Sequence, residues 1–191
     1  MENKDIISEA FFRHYSLLEN TRRFCMIDIY QCADLLVSVL KSNKKILIAG
    51  NGGSAADSQH FAAEWLCRYK NDRHPLPAIA LTTDTSTLTA ISNDYDFHEI
   101  FSRQIMVLGA EGDVLILLTT SGQSKNILRA IEVARSKNIK IIVLTGERGS
   151  TLRTIVDSIV VIPGTETARI QEMHEIVYHA WCEYVDNYLK I

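Results

Sequence analysis

His60 and Glu64 stand four residues apart in "SQHFAAEW", within a stretch patterned as a helix. That spacing sets an imidazole and a carboxylate on one helical face, a turn apart. Such a pair can share a metal ion or a proton-transfer site. An isolated pair of this kind is more often a surface ion pair. A second polar group lies in "TARIQEMHEIVYHAW", where Gln171, His174, Glu175 and His179 interrupt Ile170, Met173, Ile176, Val177 and Trp181. Gln171 and His179 differ by about 80° in phase and about 12 Å in rise. They share one ion only in a stretched geometry or with help from a second subunit; otherwise they form no joint site. His174 alone reads as a satisfied or exposed histidine.

Two loops offer anion chemistry. The first, Gly50-Asn51-Gly52-Gly53-Ser54, follows an apolar run and opens the helix that carries His60. Its glycines permit a sharp turn and close approach of a ligand to the backbone. The helix start offers free N–H groups and a positive dipole end. The phosphate-loop spacing GxxxxGK[ST] is absent. A relaxed G-x-G-x-x-A is present at Gly50, Gly52 and Ala55, but the acidic residue expected at the end of the next strand is missing: that strand ends at Thr82–Thr83 and Asp84 comes late. By itself the loop fits a ligand and a plain turn equally. The second loop, Thr119-Thr120-Ser121-Gly122-Gln123-Ser124, also ends an apolar run and opens a helix. One hydroxyl is enough to cap a helix, so four favour a phosphate held by neutral donors. No lysine or arginine lies inside the loop, which suits a monophosphate.

These groups need a scaffold that brings strand ends together. The 191 residues suit one domain, with 47% hydrophobic and 23% charged residues and a net charge of -3. No basic tract points to nucleic acid. Runs such as 114–118 "VLILL" are too short to span a bilayer, and the N-terminus lacks the pattern of a secretory leader. Cys25, Cys32, Cys67 and Cys182 are scattered without CxxC spacing. A cytoplasmic chain of reduced thiols, without nucleic-acid or membrane partners, is expected.

Five runs, 45–49, 78–82, 114–118, 140–144 and 158–162, are apolar throughout, as in strands buried on both faces of a parallel sheet. Helical patterns fall near 5–19, 24–42, 54–69, 86–92, 98–107, 124–137 and 167–189. The alternation predicts a doubly wound α/β domain. Residues 1–43 are read as a helical pair within that domain and 44–191 as its α/β body. The two leading helices carry apolar residues on more than one side, among them Ile6, Ile7, Phe11, Phe12, Phe24 and Ile27. The last helix does likewise. Helices of this kind bury the second face in an oligomer or against each other.

"AGNGGSAADSQHFAAEW", "TTDTSTLTAISNDYDFHEIFSRQ", "EGDVLILLTTSGQSKN" and "TARIQEMHEIVYHAW" together resemble the phosphoheptose isomerases of the sugar isomerase (SIS) domain superfamily. The resemblance runs over almost the whole chain. It implies a five-stranded parallel sheet of flavodoxin-like type with two leading helices. It implies conversion of sedoheptulose 7-phosphate to D-glycero-D-manno-heptose 7-phosphate through an enediol, a step towards the heptose of bacterial surface glycans. It further implies a homotetramer with active sites between subunits and one Zn2+ per subunit.

Carried over by motif, Asn51, Gly52, Gly53, Asn93 and Asp94 contact the sugar phosphate, and Thr119, Thr120, Ser121 and Ser124 cradle its phosphate. His60, Glu64, Gln171 and His179 correspond to the zinc ligands, with Glu64 and His179 the acid/base pair and Glu64 and Gln171 also touching substrate. Three positions depart from the family pattern: Thr119 replaces a common Ser, Gln123 an Asn, and Ala168 an Asp. A non-catalytic SIS protein that binds a sugar phosphate or a partner is the alternative, and retention of all four polar positions argues against it. A nicotinamide-binding protein is disfavoured by the missing ribose carboxylate.

Overall fold

The computed structural model describes residues 3–189. Two helices come first, α1 (Asn3–Phe24) and α2 (Met26–Lys41). Then follow β1 (Ile46–Gly50), α3 (Gly53–Leu66), β2 (Ala78–Ala80), α4 (Thr85–Asp94), α5 (Ser102–Leu108) and β3 (Val114–Thr119). The chain closes with α6 (Lys125–Ser136), β4 (Lys140–Gly146), β5 (Ser158–Ile162) and α7 (Thr167–Leu189). All four strand pairings are parallel, in the order β2-β1-β3-β4-β5. This is the expected doubly wound arrangement, with the chain reversing direction across the sheet between β1 and β3.

Alternating strand residues feed two separate cores, which explains runs without polar interruption. Ile46, Ile48, Val114, Ile116, Ile142 and Leu144 face α2, α3 and α7, meeting Leu36, Phe61, Trp65, Tyr178 and Trp181. Leu47, Ala49, Leu115, Leu117, Ile141 and Val143 face the other way, onto Ile91, Ile105, Ile127 and Ile131. The indole of Trp181 donates to the Ile29 carbonyl at 2.9 Å, joining α7 to α2 inside the first core.

The fold refines two sequence patterns. The helix expected near 98–107 is split into a 3-10 turn at Phe97–Glu99 and α5. The turn starts where the Asp96 carboxylate accepts from the His98 N–H at 2.7 Å. The last helix, apolar on more than one side, is expected to bury its second face in an oligomer or against other helices of the chain. In the fold Ile170, Met173, Val177, Trp181 and Val185 are buried within the chain, and only Ile176 and Tyr188 remain exposed among its large apolar residues. The exposed apolar side chains gather instead on α1 and α2, with Phe11 and Ile27 each 74% exposed. No described helix is long and apolar enough to cross a membrane.

Candidate active site

Ligands of open parallel sheets sit outside the carboxyl ends of the strands, where the strand order reverses. Here that point lies between β1 and β3, which are hydrogen-bonded neighbours ending at Gly50 and Thr119. A cleft of about 420 Å³ opens there, lined by Asn51 and Gly52 from the first loop, by Ser124 from the second, and by Lys125 and Asn126 from the first turn of α6. Phe97 and His98 of the 3-10 turn form its outer side. Asn51 and Asn126 exchange amide hydrogen bonds at 2.9 and 2.8 Å and so tie the first loop to the start of α6.

The first loop turns as its glycines require. Gly52 takes a φ of 59° and a Cβ there would meet nothing within 4 Å, so the residue is open towards the cleft. A Cβ on Gly53 would stand 2.7 Å from Nε2 of Gln171, so only glycine lets the α7 amide approach this closely. Gln171 Nε2 donates to the Ser54 hydroxyl at 3.5 Å, which sets the N-terminal turn of α7 against the start of α3.

In the second loop the hydroxyls divide by task. Thr119 is buried, and its Oγ1 accepts from the Gly122 N–H at 3.1 Å. Ser121 Oγ accepts from the Gln123 N–H at 3.2 Å. Ser124 occupies the N-cap position of α6 but makes no side-chain capping bond. Its hydroxyl therefore stays available at the cleft, beside the free N–H groups of the helix start. Gly122, at φ 66°, packs so closely that a Cβ would lie 2.4 Å from the Gly149 Cα.

On the helix leaving the first loop, His60 Nε2 lies 3.2 Å from Glu64 Oε1 and 3.4 Å from His179 Nε2. Donor atoms of His60, Glu64 and His179 all fall within 4.8 Å of one another. Tetrahedral zinc with ligands at about 2.0–2.1 Å has ligand–ligand edges of about 3.3 Å. The two measured separations match that edge, and two ring nitrogens facing each other cannot both carry a hydrogen. The residues present thus fit one small divalent cation. The far side of the His60 ring is held too: Nδ1 lies 3.4 Å from the Tyr178 hydroxyl and 3.6 Å from Glu175. Tyr69 stacks on the His179 ring at a centroid distance of 5.5 Å. Burial, and then the charge of His60, lower the His179 pKa and favour the neutral imidazole that metals bind. Asp57, one turn before His60, is pushed up to about 6 by burial and by Glu175.

Of the expected site residues, Asn51, Gly52 and Ser124 line the cleft, and the His60–Glu64–His179 cluster does not. Asn93 and Asp94 are exposed at the end of α4, where the Asn93 amide donates to Asp94 at 2.8 Å, and neither lines the cleft. Sequence reasoning passed over Lys125 and Asn126, which do line it. Lys125 supplies the cation that the loop itself lacks. His174, read as satisfied or exposed, is fully buried, with neither ring nitrogen making a hydrogen bond among the described residues.

The chain resembles known proteins over its whole length. A family model described as SIS domain matches residues 13–146. The phosphoheptose isomerase of Aliarcobacter butzleri is 45% identical over 187 residues, covering 98% of this chain and 99% of that protein. That of Nitratiruptor sp. is 44% identical over 180 residues, covering 94% and 96%. The solved structure of a phosphoheptose isomerase from Francisella tularensis superposes with a TM-score of 0.94 at 38% identity, covering 98% of this chain and all of the other. The enzyme from Neisseria gonorrhoeae gives 0.91 at 39% identity, over 96% and 98%. With full-length likeness in sequence and in fold, the chain belongs to the phosphoheptose isomerase family of the SIS domain superfamily.

Proposed function

We propose that the strand-end cleft and the His60–Glu64–His179 cluster together carry out the family's aldose–ketose isomerisation, sedoheptulose 7-phosphate to D-glycero-D-manno-heptose 7-phosphate. The observation that carries the reading is that cluster, a base and two imidazoles within 4.8 Å, on α3, which follows the first loop, and on α7. The sugar phosphate enters with its phosphate on Thr119, Thr120, Ser121 and Ser124. The loop at Asn51, Gly52 and Gly53 then seats the carbon chain. Glu64 takes the proton from C1 of the ketose while the C2 oxygen gains one, which gives the enediol. The same carboxylate returns a proton to C2 as the C1 hydroxyl loses its own, which leaves the aldehyde. His179 serves these oxygens as general acid and base. Proton transfers of this sort contribute about 10²–10⁴-fold each. The remote phosphate supplies binding energy that holds C1 and C2 at the base.

A zinc ion would be held by His60, Glu64 and His179 and would supply Lewis-acid polarisation of a sugar oxygen; Gln171, the fourth ligand that the family resemblance implies, stands against Ser54 in this chain. Glu64 meets His60 through Oε1, which leaves its other oxygen for the proton.

Self-association completes the reading. Ile6, Ile7, Phe11, Phe12, Phe24 and Ile27 form an exposed apolar surface on α1 and α2, which further copies of the chain cover in a homotetramer. Asn93 and Asp94, away from the cleft of their own chain, would then act at a site completed between subunits. Residues 1–43 belong to the one domain in this view, since Leu17, Leu36 and Leu40 share its core.

The deciding experiment incubates purified protein with sedoheptulose 7-phosphate and follows the aldose by NMR. Absence of aldose, with phosphate-dependent ligand binding retained, would favour a binding protein of the same fold.

A further inference from the structure

We propose that Arg73, which lies in the loop between α3 and β2, is a positioning residue for the isomerisation. Its guanidinium fixes α3 against α7 and thereby holds His60 and Glu64 opposite His179. The inference rests on the proposed function and extends it to a residue outside the cleft and the cluster.

The guanidinium is fully buried, at 0% side-chain exposure, and faces Asp186, at 6%. Nε donates to Asp186 Oδ1 at 2.8 Å. Nη2 donates to the Glu64 carbonyl at 2.8 Å, and Nη1 to the Trp65 carbonyl at 2.9 Å and the His74 carbonyl at 3.2 Å. Glu64 and Trp65 belong to the last turn of α3, whose carbonyls have no partner inside the helix. Arg73 therefore caps the helix that carries the base, through the backbone of the base itself. The carboxylate it holds belongs to the helix that carries His179. Asp186 follows His179 by seven residues, about two turns along the same face of α7.

Three rungs thus join α3 to α7 in one order. Gln171 meets Ser54 at the entry, His179 meets His60 midway, and Asp186 meets Arg73 at the exit of α3. The middle rung is the reactive one. The upper rung is a single long contact at 3.5 Å. The lower rung is a charged fork with four donor contacts, and it sets how far α3 can slide or roll against α7. A ligand set tolerates displacements of only about 0.2 Å, so slack there reaches the cluster directly. A lysine cannot replace the fork, because its ammonium is a point charge on a flexible stem.

The test compares the wild-type protein with Arg73→Lys, Asp186→Asn and Arg73→Met. Metal-free protein is titrated with Co2+ and followed by its visible absorption. In parallel, kcat and KM are measured on sedoheptulose 7-phosphate and melting is followed by circular dichroism. Loss of a group that orients ligands weakens metal affinity or activity by about 10–100-fold, and that loss is expected in Co2+ affinity and in kcat. KM should stay within about twofold, because the phosphate loop lies on other elements. A variant that melts earlier but keeps wild-type Co2+ affinity and kcat would reduce Arg73 to a fold-stabilising residue and overturn the proposal. So would a rise in KM at constant kcat. Should Arg73→Met fail to fold, the two milder variants decide. A wild-type protein that binds Co2+ but does not turn over the sugar refutes the proposed function and leaves the cobalt comparison to judge Arg73. A wild-type protein indifferent to Co2+ leaves kcat to judge it.

Discussion

Asn51 and Asn126 hold each other by two amide hydrogen bonds, each Nδ2 donating to the other's Oδ1, at 2.9 and 2.8 Å. They lie 75 residues apart in the chain, one in the loop after β1 and one in the first turn of α6, and line the same cleft. The pair fixes the spacing between the loop after β1 and the start of α6, the proposed seats of the sugar chain and of its phosphate. Asn126→Ala leaves the Asn51 amide without this partner while keeping the α6 start intact. We expect kcat/KM to fall by about tenfold, the equivalent of one hydrogen bond of about 1.5 kcal/mol. The melting temperature should fall as well, because Asn126 is itself buried. Steady-state kinetics with unchanged kcat/KM would show that the two segments need no such tie.

Glu64→Gln removes the base without changing size. The amide accepts no proton at neutral pH, so turnover should be lost while secondary structure and assembly persist. Solvent deuterium should no longer enter C1 of the substrate. Turnover near the wild-type rate would take Glu64 out of the mechanism.

The hydroxyls of the phosphate loop are expected to separate by role. Ser124→Ala deletes an uncommitted hydroxyl at the cleft. A hydrogen bond to a charged group contributes about 1.5–3 kcal/mol, so the affinity for the phosphorylated sugar should drop about tenfold or more. Thr119→Val instead removes the acceptor for the Gly122 N–H and should lower the melting temperature. Calorimetric titration and thermal melting of the two variants distinguish these outcomes. Equal effects on both measurements would contradict the division.

Much of this was readable before the fold was known. The strand runs 114–118 and 158–162 lie within or on β3 and β5, because residues buried on both faces leave an unbroken apolar signal. The strand expected at 78–82 shrinks to Ala78–Ala80 because it is an edge strand with β1 as its one partner. Type and spacing mark His60 and Glu64 as a pair, the family resemblance adds His179, and the three meet in the fold. Arg73 carries no such mark. It sits in the polar stretch "RYKNDRHP", which has no period, and its partner Asp186 is 113 residues away. Asn126 escaped for the same reason: its role depends on a contact across the sheet, and no local pattern encodes such a contact.

The proposed assembly would use what α1 and α2 leave uncovered. Phe11→Glu combined with Ile27→Glu places charges on residues that are 74% exposed within a single chain. They should leave the isolated fold intact. Sedimentation equilibrium should move from about four chains per particle towards smaller species, with activity falling in parallel if sites form between subunits. An unchanged mass would assign the apolar surface to some other purpose.

The last prediction concerns acid. His174 is fully buried, and burial holds its pKa at about 3, against an ordinary value of 6.5. The folded protein keeps this ring neutral across that interval, while the unfolded chain takes up a proton below 6.5. Stability is therefore fully present above 6.5 and falls as the pH drops towards 3, by up to about 1.4 kcal/mol per pH unit. Asp57 works in the opposite sense. Its folded pKa is raised to about 6 from 3.8, so its contribution is present at low pH and fades as the pH rises through 6. The measured slope between these limits is the difference of the two. His174→Gln, which cannot ionise, should remove the rising component and leave stability falling as the pH goes from 4 to 6. Asp57→Asn should remove the falling component and leave stability rising over the same interval. Urea unfolding at pH 7, 6, 5 and 4 measures both slopes. A slope in His174→Gln identical to wild type would mean that the buried ring already carries its proton in the fold.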